Sequence, residues 1–77
     1  MAVAKDARFD QQDIYIDYDF EEVMFRWDHE SKQVYRKFYG EQEFATPIPQ
    51  DNRLYTDALL SGSEITQEEY EKGKSPS

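Results

Sequence analysis

Asp13, Asp17, Asp19 and Glu21 sit at odd positions of one short stretch, and alternate residues of an extended chain point the same way. If the strand runs through, Asp17, Asp19 and Glu21 form a column of like charges about 7 Å apart. Such a column can do three things. It can be a solvated face that stops a strand edge from pairing with other chains. It can form an acidic surface that imitates the phosphate spacing of nucleic acid and blocks a basic groove on a partner protein. It can also ligate a divalent cation, but the stretch has no glycine turn and no calcium-loop order of ligands.

Catalysis finds little support. Paired carboxylates do acid–base work when burial pushes their pKa values apart, and these acids lie on the polar side of an amphipathic pattern. The lone His29 sits between Asp28 and Glu30 in a predicted loop tip, a solvated position. With no cysteine there is no thiol chemistry and no Cys-ligated zinc. Gly40, Gly62 and Gly73 are isolated, so no phosphate-cradling loop exists. The expectation is a non-enzymatic protein without catalytic residues, metal site or cofactor.

A second constellation competes with the acidic one. Arg26, Trp27, Tyr35, Arg36, Lys37 and Tyr39 interleave bases with rings, as single-strand nucleic-acid binders do. The plainer account has Arg26 and Arg36 pairing across strands with Asp17, Asp19 or Asp28. The charge layout favours the plainer account. Seventeen acids against nine bases give a net charge of -8. Residues 1–22 carry -5, residues 23–40 carry +2 and residues 41–77 carry -5. A polyanion would have to approach against that field.

The elements that must position these residues can be read from periodicity. Ile14, Ile16, Tyr18 and Phe20 alternate against Asp13, Tyr15, Asp17 and Asp19, a half-buried strand. Val23, Phe25 and Trp27 alternate against Met24, Arg26 and Asp28 in a second. The polar run Asp28–Lys32 reads as a hairpin loop. A third strand spans Gln33–Tyr39, with Val34 and Phe38 on one face, Tyr35 and Tyr39 on the other, and Gly40 ending it. Phe44-Ala45-Thr46 could add a short edge strand before Pro47 and Pro49. Asp51 is a suitable N-cap for a helix carrying Leu54, Ala58 and Leu59 and stopped by Gly62. Thr66 and Glu69 form a capping box for a final short helix over Gln67–Lys72, with Ile65 and Tyr70 spaced as a hydrophobic staple.

The predicted fold class is therefore α+β: a small three- or four-stranded antiparallel sheet followed by one or two short C-terminal helices. A small, partly open barrel is the alternative. Residues 1–12 read as a flexible arm, 13–73 as the single domain and 74–77 as a disordered tail. Twelve aromatic rings in 77 residues supply a bulky core for so short a chain. No stretch approaches the roughly 18 apolar residues of a membrane span, and the N-terminus lacks a signal-peptide pattern. A cytoplasmic protein is expected, with no membrane partner.

Taken together, these features point to a small acidic binding protein that docks onto a basic partner protein as an inhibitor or regulator. Asp13, Asp17, Asp19, Glu21 and Glu22 would supply attraction, and Tyr15 and Tyr18 the aromatic anchors. The alternatives are a nucleic-acid-binding module using the aromatic and basic hairpin, or a homodimeric accessory protein held together through an under-covered sheet face.

Overall fold

Why the second half of the chain folds back on the first is clearest at β1, which is paired on both sides. In the computed structural model, which describes residues 6–76, the elements run α1 (Arg8–Gln11), β1 (Ile14–Tyr18), β2 (Val23–Asp28), β3 (Gln33–Phe38), α2 (Arg53–Ser61), β4 (Ser63–Ile65) and α3 (Gln67–Lys72). A 3-10 turn, Asp19–Glu21, joins β1 to β2. The sheet is antiparallel in the order β3-β2-β1-β4. This is the α+β class read from the sequence, with four strands.

The register puts Ile14, Ile16, Phe25, Trp27 and Val34 on one face, where they meet Tyr55 and Ala58 of α2 and Phe9 of α1 in a core of buried residues. Phe25 and Tyr55 lie with ring centroids 5.5 Å apart. The opposite face carries Tyr15, Met24 and Tyr39, covered by Tyr70 of α3 and by Ile65. Helices thus cover both faces, which removes the under-covered face on which the homodimer reading stood.

Local signals explain most boundaries. The capping box forms as read, with Thr66 Oγ1 accepting from Glu69 N and Glu69 Oε1 accepting from Thr66 N. For α2 the cap is Asn52 rather than Asp51: its side-chain oxygen accepts from Tyr55 N at 3.1 Å. Gly62 ends α2 where a Cβ would lie 2.6 Å from Ala58 O and 2.8 Å from Asp17 O. Only glycine lets the chain pass β1 so closely.

Four further features differ from the sequence reading. β1 stops at Tyr18, so Asp19, Phe20 and Glu21 leave the strand. The fourth strand is Ser63–Ile65, not Phe44–Thr46. The latter segment still touches the far edge, with Phe44 N donating to Arg36 O and Ile48 N to Val34 O, but prolines on both sides of Ile48 keep it from becoming a ladder. Within the stretch expected to be a flexible arm, Arg8–Gln11 is helical and Phe9 is buried, its carbonyl accepting from Trp27 Nε1 at 2.6 Å. Residues 1–5 of that stretch lie outside the described residues. In the expected tail, Lys74 O accepts from Gly40 N and Lys74 Nζ reaches Asp17, while Ser77 lies outside the described residues. Among the described residues no helix is long and apolar enough to cross a membrane.

Candidate partner-binding surface

The carboxylates grouped by the sequence meet different fates, because partners from distant segments claim some of them. Asp17 is 7 % exposed. Its two oxygens accept from Tyr39 Oη and Lys74 Nζ, each at 2.5 Å. Burial, then the Asp17 carboxylate, pushes the Tyr39 hydroxyl well above the ordinary phenol value, and the Asp17 hydrogen bond raises the Lys74 ammonium. Asp17 therefore belongs to the interior and not to a solvated column.

Asp13 is also engaged. It accepts from Arg26 Nη1 at 3.3 Å and from His29 N at 3.1 Å, and it lies 2.7 Å from His29 Nδ1. Arg26 is held further by Glu43, at 2.8 Å from Nε and 3.1 Å from Nη2, and by Asp28 at 3.6 Å. Burial alone would lift the Glu43 carboxyl. Hydrogen bonds from Arg26 and from Tyr70 Oη, the latter 2.6 Å away, outweigh it and hold Glu43 below the ordinary carboxylate value. Asp13, Asp28 and His29 bring ligand-type atoms within 4.8 Å of one another. The Arg26 guanidinium already supplies the positive charge between the two carboxylates.

Tyr15 packs on Tyr70 with centroids 5.1 Å apart, and Tyr18 is half-buried beside Phe20 at 6.2 Å. Of the acids proposed for docking, Asp19 and Glu21 are exposed, and Glu22 is half-buried in the left-handed conformation at φ 54°. The structure thus brings Asp19 and Glu21 together on one turn and takes Asp13 and Asp17 into packed networks.

The aromatic and basic hairpin does not form a face. Trp27 and Arg36 belong to the α2 side, whereas Arg26, Tyr35 and Lys37 belong to the α3 side. Trp27 is buried against Phe9, at 5.8 Å between centroids, and Tyr39 is closed over Asp17. Arg36 stacks on Phe38 and Phe44 at 5.2 and 4.9 Å instead of pairing with a strand aspartate. Lys37 Nζ donates to the Tyr70 carbonyl at 2.7 Å, at the C-terminal end of α3, where a helix attracts cations. Rings and charges that would grip bases are spent on the fold.

Sequence reasoning missed Phe20, which is 81 % exposed, and Leu60, which is 65 % exposed. Alternation assigned Phe20 to the core because the strand was carried two residues too far. The run Asp19-Phe20-Glu21-Glu22 between two strands was the available sign of a turn. Leu60 falls off the buried stripe of α2, which runs through Tyr55 and Ala58. An open cleft of about 370 Å³ lies beside Phe20, between Asp17–Phe20 and Ser61–Ser63, the latter following Leu60 in the chain.

The chain also has known counterparts. The Tis1 immunity protein family matches residues 1–74. The Immune protein Tis1 of Pseudomonas aeruginosa (strain UCBPP-PA14) is 55 % identical over 73 residues, 95 % of each chain. A chain in the crystal structure of the complex between the Type VI effector Tas1 and its immunity protein superposes with a TM-score of 0.94 at 51 % identity, covering 99 % of this chain and 100 % of that one. The chain belongs to the Tis1 immunity protein family.

Proposed function

We propose that this member of the Tis1 immunity protein family is a non-enzymatic, cytoplasmic immunity protein that binds and neutralises a Type VI effector of the Tas1 kind. The observation that carries the reading is the full-length likeness to a chain from an effector–immunity complex, at 51 % identity and a TM-score of 0.94. The chemistry of the chain agrees with a binding role. A net charge of -8 gives long-range attraction to a basic partner surface. Asp19 and Glu21 remain on an exposed turn to act at short range. Asp13 and Asp17 contribute to the total field while serving the fold.

Co-expression tests the reading. Cells producing Tas1 should grow when this chain is also produced, and the two purified proteins should elute together in one complex. Unrelieved toxicity together with separate elution would contradict it.

A further inference from the structure

We propose that Phe20, seconded by Leu60, is the apolar anchor of the effector interface, and that it fits an apolar socket whose rim presents a lysine or arginine to the adjoining cleft. The inference rests on the effector-neutralising reading above and adds which surface meets which chemistry.

Exposure alone would mean little, since scattered surface apolar residues are common. What sets Phe20 apart is the fixity of its turn. Glu22 N donates to Asp19 O at 3.1 Å, and Tyr39 N donates to Glu22 O at 3.0 Å. Tyr39 Oη touches both Asp17 and Asp19, at 2.5 and 3.1 Å, and Lys74 clamps Asp17 from the tail. Segments from β3 and the C-terminus thus converge to hold a turn that carries a benzyl ring into water. A ring presented this way loses little conformational freedom on binding, and few-torsion aromatics are favoured anchors for that reason.

The surroundings specify the partner. The cleft beside Phe20 is lined by Asp17, Asp19, Tyr18 and the Ser61–Ser63 corner, and among the described residues no lysine or arginine lines it. Asp17 already has Lys74 at 2.5 Å, whereas the exposed Asp19 carboxylate accepts from the neutral Tyr39 hydroxyl at 3.1 Å. A cationic side chain entering here would meet the Asp19 carboxylate beside two rings, Tyr18 and Phe20. A second copy of this chain is a poor occupant, because two bodies of charge -8 repel and each would bring the same acids to the contact.

Calorimetric titration of purified Tas1 tests this with four proteins: wild type, Phe20→Ser, Leu60→Ser and the control Glu30→Gln. Glu30 is exposed in the β2–β3 hairpin, at the opposite end of the sheet from Phe20. Because the replaced side chains are solvent-exposed, all four should melt at the same temperature. The expected result is a loss of affinity of about 30-fold or more for Phe20→Ser, a smaller loss for Leu60→Ser and none for Glu30→Gln. Wild-type affinity retained by Phe20→Ser, or an equal loss in Glu30→Gln, would overturn the anchor while leaving the immunity reading intact. Failure of the wild type itself to bind Tas1 would instead overturn the immunity reading and the anchor with it. A wild-type dimer that Phe20→Ser dissolves would assign the ring to self-association and overturn the proposal.

Discussion

The two faces of the sheet are built by different physics. Against α2 the side chains are almost wholly apolar, and the strand alternation alone brings Ile14, Ile16, Val23, Phe25 and Val34 together. Against α3 the rings of Tyr15, Tyr39 and Tyr70 are threaded by charges: Arg26 with Glu43, Lys37 with the last carbonyls of α3, and Asp17 with Lys74. The first face is stabilised by removing apolar surface from water, which needs only the right pattern. The second depends on each buried polar group finding its partner, because an orphaned one is costly. An acid-rich chain of this size can therefore keep a net charge of -8 and still fold, by using a few carboxylates as structural acceptors and leaving others in water.

The sharpest test of that contrast removes one residue from each face. Phe25→Ala empties a fully buried site against Tyr55 and should cost about 3–5 kcal/mol. That is a large part of the total stability of a small domain. Asp17→Ala should cost about 2 kcal/mol by leaving Tyr39 Oη without its buried acceptor. Urea unfolding measures both. If Asp17→Ala were neutral, the polar face would owe its stability to packing alone and the contrast would fail.

The faces should also separate in their response to pH. Glu43 has a folded pKa below its ordinary 4.5, so its contribution is fully present above that value and is lost as acid protonates it in the native state. The Tyr39 and Tyr70 hydroxyls are raised above 10, chiefly by burial and then by Asp17 and Glu43 respectively. Their contribution is complete below pH 10 and fades as pH climbs beyond it. Unfolding free energy should thus fall at both extremes. Glu43→Gln should flatten the acid limb, and Tyr70→Phe the alkaline one, while Leu59→Ala on the α2 side should lower the whole curve without changing its slopes. Slopes unchanged by Glu43→Gln and Tyr70→Phe would show that the α3 side is not the titrating one.

The smallest effect belongs to the cap of α3. Thr66→Ala removes the side-chain acceptor of Glu69 N and should cost about 1 kcal/mol, read as a small shift in the urea midpoint. A larger loss would mean that α3 governs the whole polar face.

The same division decides what could be read in advance. The α2 face was legible because a period of two, once started at Ile14, fixes which side chains meet. The capping box at Thr66 was legible because it is local. Asp17 was not: its acceptor role depends on Lys74, 57 residues away in sequence, and nothing near Asp17 announces it. β4 was hidden for a related reason, since Ser63-Glu64-Ile65 is too short to show alternation and becomes a strand only by pairing with β1. Phe20 was misplaced because apolar character marks an interior position or an interface equally well. The turn that decides between them closes on its own Glu22 N to Asp19 O bond but is fixed in place by Tyr39, 17 or more residues on.

If the carboxylates left in water on the β1–β2 turn guide the effector, as proposed above, whereas those tied into the sheet do not act at short range, the association rate carries the signature. Stopped-flow association with Tas1 at roughly 50 and 500 mM salt, where screening differs severalfold, measures it most directly. The wild type should associate about tenfold or more slowly at high salt, and Asp19→Asn/Glu21→Gln should lower the low-salt rate and flatten the salt dependence. Equal rates for the two proteins at both salt concentrations would contradict it.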